Sequence, residues 1–183
     1  MIQMERIDAQ SEDLAFVREL YESAFPEDER REWSSLMSLC NTRTTFELRV
    51  VCDDGRRVGF ITVWRWDNWR YVEHFAIDAS CRGKGTGADV LRALLAEDNR
   101  PVVLEVEVPA DEMSRRRVGF YRRLGFVLHD EFFYMQPSYG EGRKPLPMCL
   151  MTYGAPEKTN LSVVAALLYR EVYGAEIPSA DEK

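Results

Sequence analysis

Three glycines at alternate positions, in Arg82-Gly83-Lys84-Gly85-Thr86-Gly87, separate two stretches of different hydrophobic period. Tyr71 to Asp78 reads as an apolar strand, whereas Val90, Leu91, Leu94 and Leu95 recur at helical spacing. Pro101 ends the helical stretch, and Val102 to Val108 is again strand-like, interrupted by Glu105 and Glu107. Strand, glycine loop, helix, strand is a βαβ-like unit, so these two strands are expected to run parallel. The glycines let backbone N–H groups converge, and the helix start adds partial positive charge, which together make an anion cradle. Arg82 and Lys84 bring full charges to the same place. The loop lacks the Lys-Ser/Thr ending of a nucleoside-triphosphate loop and contains no Gly-x-Gly-x-x-Gly, so those two site types lose ground. On the residues alone, a glycine-rich turn with no ligand stays open.

The flanking segments suit an α+β domain. Residues 2 to 7 alternate loosely, and Leu14, Phe16, Val17, Leu20 and Tyr21 mark a helix closed by Pro26. Pro26 to Trp33 is a charge run of the kind usually found on a solvated face, leading into a short helix through Cys40. Phe46, Leu48, Val50 and Cys52 alternate, Asp53-Asp54-Gly55 is a hairpin signal, and Val58 to Trp66 is the partner strand. With Tyr71 to Asp78 this makes an antiparallel meander. A helix from about Asp111 to Leu124 has Asp111 as N-cap and Gly125 where positive φ is wanted. Strands near 127–135 and 146–153 follow, joined by the loop Gln136 to Pro145. Asn160 can cap a helix from Leu161 to Tyr173, and Ile177 to Lys183 reads as a frayed tail. The expected fold is therefore a mixed, mostly antiparallel central sheet of about seven strands flanked by helices, residues 1–154. An extra C-terminal helix, residues 155–183, either packs back on the sheet or pairs with a second copy in a homodimer.

Composition limits the partners. With 24 Lys+Arg against 31 Asp+Glu the net charge is −7, which disfavours coating nucleic acid or an anionic membrane. No segment approaches a membrane span and the N-terminal residues lack a leader pattern, so the chain is expected to be cytoplasmic. Four scattered cysteines and two histidines, without ligand spacing, indicate neither a disulfide framework nor a metal site.

The Arg-x-x-Gly-x-Gly loop after Tyr71-Val-Glu-His-Phe-Ala-Ile-Asp78, followed later by Tyr121-Arg-Arg-Leu-Gly125-Phe126, resembles the GNAT superfamily of acetyl-CoA-dependent N-acetyltransferases, over roughly residues 2 to 153. The resemblance implies a sheet that splays open between the strand ending at Asp78 and the strand 102–108. Acetyl-CoA would lie there as co-substrate, its pantetheine arm on backbone groups of Phe75, Ala76 and Ile77 and its pyrophosphate on the amides of Arg82, Gly83, Lys84, Gly85, Thr86 and Gly87. Gly85→Val is expected to weaken acetyl-CoA binding with little change in stability without ligand. Many members carry Asn seven residues before the tyrosine and a small residue four before it; here Ser114 and Arg117 stand there. Of Arg115, Arg116 and Arg117, at least two are expected on an exposed helix face.

The reaction implied is direct attack of an amine on the thioester within a ternary complex. Tyr121 then corresponds to the proton donor for the departing thiolate; as a residue alone it could equally be an aromatic packed on the sheet. For the base, strand alternation sets Glu105 and Glu107 on one face, and puts Glu73 opposite His74 on the neighbouring strand. Glu105 ranks slightly above Glu73, with His74 a third choice, and these acids could instead bind a cationic acceptor or form ion pairs. Phe25 to Trp33, Trp64, Trp66 and the 136–145 loop would surround the cleft mouth, with Tyr134 and Tyr139 placed to enclose a small-molecule or peptide amine. The alternative function is an acyl-CoA-binding sensor or interaction module with the same fold and no turnover.

Overall fold

The structure, a computed structural model, describes residues 1–176; the tail from Ile177 lies outside the described residues. The strands are β1 (Ile2–Ile7), β2 (Phe46–Asp53), β3 (Arg56–Arg65), β4 (Arg70–Ile77), β5 (Val102–Glu107), β6 (Val127–Gln136) and β7 (Leu146–Tyr153). The helices are α1 (Leu14–Ala24), α2 (Trp33–Thr42), α3 (Thr86–Leu95), α4 (Glu112–Arg123) and α5 (Leu161–Leu168), which continues as a wider π turn over Tyr169–Tyr173. The strands form one sheet in the order β1-β2-β3-β4-β5-β7-β6. All neighbours are antiparallel except β4 and β5.

Local signals account for the connections. Asp54 and Gly55 both adopt positive φ, the twist a tight hairpin needs, and they join β2 to β3. Asp111 and Ser114 cap α4 reciprocally, and Gly125 follows it at φ +93°. Asn160 accepts from the Ser162 amide at the start of α5.

The sheet buries both faces. On one side Val17, Leu20, Tyr21 and Leu36 from α1 and α2, with Val164, Leu168 and Val172 from the C-terminal helix, pack on Phe46, Leu48, Phe60, Trp64 and Tyr71. On the other, Val90, Leu91 and Leu94 of α3 and Val118 of α4 pack on Ile61, Val63, Val72, Leu104 and Val106. The C-terminal helix therefore shares the core of the sheet domain.

The opening in the sheet has a visible cause. Only Arg70, Tyr71 and Val72 of β4 pair with β5. At that point β3 and β4 change register, Thr62 facing His74 and Val63 facing Val72, so Glu73 is an extra residue in β4. Such a bulge bends the strand that carries it, and β4 leaves β5 where the bulge lies. Arg70 holds the closed end, its buried guanidinium donating to the carbonyls of Leu94 (2.6 Å), Asp98 (3.1 Å) and Arg100 (3.0 Å).

Candidate active site

Two cavities meet in the opening. The first, about 390 Å³, is lined by Phe25 and Glu29 from the α1–α2 connection, Glu73 to Ile77 of β4, Glu105 and Glu107 of β5, and Tyr139 of the β6–β7 loop. The second, about 650 Å³, runs along Gly83, Gly85, Thr86 and Gly87 and across α4. Phe75, Ile77, Arg82, Arg117 and Tyr121 line both, so Tyr121 stands at their junction.

The second cavity is a basic groove. Arg82, Arg116, Arg117 and Arg123 line it, whereas no carboxylate of the described residues does. Lys84, expected to share this work, is exposed and lines neither cavity; its place is taken by arginines of α4. Arg115, Arg116 and Arg117 are all exposed, as expected of a helix face, yet two of them border the groove. Ser114 is spent on the α4 cap. Gly83 and Gly85 have φ of +78° and +88°, and a Cβ added at either would project into open space. These observations suit a bound pyrophosphate: amides at a helix start, positive charge and close backbone approach. Past Val72 the β5-facing edge of β4 has no strand beside it, which leaves Phe75 and Ala76 available to a pantetheine arm. The Ile77 carbonyl already accepts from Arg82 Nε at 2.8 Å.

The positive φ at Gly85 corrects one expectation. A side chain there is strained before any ligand binds, and valine more than alanine. Gly85→Ala is expected to cost about 1–2 kcal/mol of unliganded stability and to weaken acetyl-CoA binding on the order of tenfold. Thermal unfolding and calorimetric titration check the two effects separately, and unchanged affinity would remove the loop from the binding site.

The two glutamates are built differently. Glu73 is fully enclosed and ion-paired: Arg31 donates to Oε1 from Nη2 (2.8 Å) and Nε (3.0 Å), and Trp64 Nε1 donates to Oε2 (2.7 Å). Burial pushes this carboxyl up, but Arg31, His74 and the Trp64 N–H outweigh it and hold it below its ordinary value. Glu105 pairs with no cation among the described residues. Tyr71 O–H (2.9 Å) and Tyr173 O–H (2.6 Å) donate to Oε2, and Tyr134 O–H donates to Oε1. Burial pushes Glu105 up to about 7, against the pull of the three hydroxyls. Two neighbouring carboxyls driven in opposite directions divide the roles: Glu73 stays charged and paired, while Glu105 can exchange a proton near neutrality.

His74 does not lie opposite Glu73. The bulge puts consecutive residues on one face, and the imidazole packs edge-on against Tyr21 and Phe25 with ring centroids 4.9 and 4.8 Å away. Its Nε2 lies 2.9 Å from the Glu29 carbonyl, so Nε2 carries the hydrogen, and burial lowers its pKa. Glu107 lines the first cavity but pairs with Arg117 at 2.5 Å. Tyr121 is pushed up to about 12 by burial, opposed weakly by Arg117, and keeps its proton at neutral pH.

The other expected wall residues divide. Phe25 and Tyr139 line the first cavity, but Tyr134 is buried with its hydroxyl on Glu105. Trp64 of β3 is buried on the face that α1 and α2 cover, and Trp66 stacks on it and lines a separate cavity beside α5. Sequence reasoning missed Arg31, buried although it belongs to the charged run, together with Tyr71 and Tyr173. It had no signal for them, since each touches a residue distant in the chain.

Comparisons with known proteins agree with this architecture. The acetyltransferase (GNAT) domain matches residues 44–128. A Bacteroides thetaiotaomicron protein assigned to the GNAT family as an acetyltransferase is 37% identical, with a TM-score of 0.90 over 95% of this chain and 99% of its own. The ribosomal-protein-S18-alanine N-acetyltransferase of Escherichia coli is 16% identical with a TM-score of 0.58, over 87% and 99% of the two chains. A GNAT acetyltransferase of Elizabethkingia anophelis with acetyl-CoA bound is 13% identical with a TM-score of 0.56, over 83% and 97%. Comparison with curated proteins finds no match. A splayed sheet over a glycine loop at a helix start is the GNAT architecture, and the chain is an acyltransferase. It belongs to the GNAT acetyltransferase family.

Among the described residues no helix is long and apolar enough to cross a membrane.

Proposed function

We propose that this protein transfers the acetyl group of acetyl-CoA to a primary amine within a ternary complex, with Glu105 as general base and Tyr121 as general acid. The observation that carries this reading is Glu105: a half-buried carboxyl with no counter-cation among the described residues, raised toward neutrality, on the wall of a cavity that meets the basic groove at Tyr121. Acetyl-CoA supplies the activated acyl group. The backbone of Phe75 and Ala76, the amides of the 82–87 loop, and Arg82, Arg116, Arg117 and Arg123 hold and orient it. Glu105 Oε takes a proton from the acceptor nitrogen, directly or through one water. The Tyr121 O–H gives its proton to the departing sulfur.

The acceptor enters from the first cavity. Glu29, Glu105 and Glu107 give that wall an acidic character suited to an ammonium group, while Phe25 and Tyr139 supply apolar faces. Arg143 of the β6–β7 loop donates to the carbonyls of Glu27 (2.8 Å) and Arg30 (2.9 Å) and so ties the two loops around this cavity. A small-molecule amine or a peptide amine fits this description.

Release of CoA thiol across a panel of small amines and peptide amines tests the reading. The expected result is release with a subset of amines, and about 10²-fold slower release by Tyr121→Phe at unchanged acetyl-CoA affinity. Because Tyr121 keeps its proton to about pH 12, the rate should show no alkaline decline from this residue below that range. Binding of acetyl-CoA with no release to any amine, in the wild type as in Tyr121→Phe, would indicate a sensor instead.

A further inference from the structure

The C-terminal helix lies beyond the part of the chain that matches the GNAT domain, yet its last turn reaches the centre of the site. The Tyr173 hydroxyl donates to Glu105 Oε2 at 2.6 Å and sits 3.3 Å from the hydroxyl of Tyr71, which donates to the same oxygen. Its ring packs on Tyr139 with centroids 5.1 Å apart. Next to it, the Val172 carbonyl accepts from Arg31 Nη2 at 2.7 Å, and the same guanidinium holds Glu73. One turn earlier, the Tyr169 hydroxyl donates to the Met135 carbonyl of β6. This end of the helix winds with the wider π pitch, a local departure often found at functional sites.

We propose that Tyr173 is a positioning residue for Glu105, and that the C-terminal helix is thereby a working part of the active site. The inference rests on the reading of Glu105 as base. A carboxylate facing a cavity is free to rotate unless both oxygens are held. Tyr134 holds Oε1, and Tyr71 and Tyr173 hold Oε2. Of these donors Tyr173 alone comes from outside the sheet. Each donated hydrogen bond also favours the ionised form and opposes burial. The groups facing Glu105 are Tyr71 and Glu73 of β4, Tyr134 of β6, Tyr139 of the β6–β7 loop, and Tyr169 and Tyr173 of the C-terminal helix, with Arg31 behind Glu73.

Tyr173→Phe removes one donor and keeps the ring against Tyr139. The carboxyl of Glu105 should then titrate higher by about half to one pH unit. The acid limb of kcat/KM should move up with it, so activity falls severalfold at pH 7 and recovers near pH 9. Tyr169→Phe loses the hydrogen bond of the same helix to Met135 and none to Glu105, so it should lower thermal stability and move the limb much less than Tyr173→Phe does. The titration is read directly by carbon NMR of labelled glutamate, and the limb by rates with the best amine of the panel. If both stay at the wild-type position in Tyr173→Phe, the helix is only structural and the inference falls. If the carboxyl shifts and the limb does not, Tyr173 does tune Glu105 but Glu105 is not the base, so the proposed mechanism fails instead.

Discussion

Replacing Glu105 with glutamine is expected to lower kcat by about 10²–10⁴-fold, the usual worth of a general base, and at the same time to raise stability at pH 8. The first effect follows from removing the proton acceptor while keeping a side chain of the same shape. Acetyl-CoA affinity should hold, since Glu105 is absent from the groove beside the glycine loop. The second effect follows from linkage. Glu105 titrates near 7 in the fold against 4.5 without its surroundings, so between these values the folded state binds more protons than the unfolded chain. The stability this confers is fully present below pH 4.5 and is lost as pH rises through 7. At pH 8 the wild type therefore carries a half-buried charge that costs about 3 kcal/mol, whereas the glutamine variant carries none. At pH 5 both side chains are largely neutral and the two proteins should differ little. Denaturant unfolding at pH 5 and pH 8, beside steady-state rates, separates the effects. A variant equally destabilised at both pH values would mean that Glu105 does not titrate in the fold. A variant with wild-type kcat would mean that another group takes the proton.

The two ends of this site differ in how far the sequence discloses them. The glycine loop is local: its residues specify the turn and the helix start together, and all of them but Lys84 line one groove. The parallel pair is legible for the same reason, because strand, loop, helix and strand follow one another in the chain. The acceptor side is not local. Alternation sets Glu73 and His74 on opposite faces, but an extra residue in one strand cancels that rule, and nothing in Tyr71 to Asp78 marks where the bulge falls. The run Pro26 to Trp33 reads as solvated, yet of its six charges only Glu27 and Glu32 are exposed; Arg31 is the buried one, and its partner is 42 residues away. Tyr173 lies on a helix whose apolar spacing predicts packing, and packing is what most of that helix does. Its hydroxyl finds Glu105 only because the helix crosses the face where β4 and β5 part. Patterning thus specifies the sheet and the glycine loop, while the ionisation states in the first cavity depend on contacts between distant segments.

Arg31→Met should lower stability by about 3–5 kcal/mol near pH 8, because it leaves the Glu73 carboxylate buried without its cation. The guanidinium also donates to the Val172 carbonyl and lies 4.8 Å over the Tyr139 ring, so its loss frees the C-terminal helix and the β6–β7 loop together. The pH dependence distinguishes the charge from the lost packing. In the wild type the folded pKa of Glu73 is lowered, so its stabilising contribution is present above the ordinary carboxyl pKa and disappears as pH falls through the lowered value. In the variant burial acts without Arg31, the folded pKa rises, and stability should increase as the pH is lowered toward 5. The deficit against the wild type therefore shrinks on acidification. Arg31→Met combined with Glu73→Gln, which removes the stranded charge, should recover most of the loss at pH 8. Equal deficits at pH 5.5 and pH 8, unrelieved by the second substitution, would assign Arg31 to packing alone. The consequence for catalysis runs through Glu105, whose pKa the Glu73 charge helps to raise. Near neutrality the stranded Glu73 charge keeps that push, and the loosened helix weakens the Tyr173 hydrogen bond to Glu105, so the acid limb of kcat/KM in Arg31→Met should move to higher pH, in the same direction as in Tyr173→Phe.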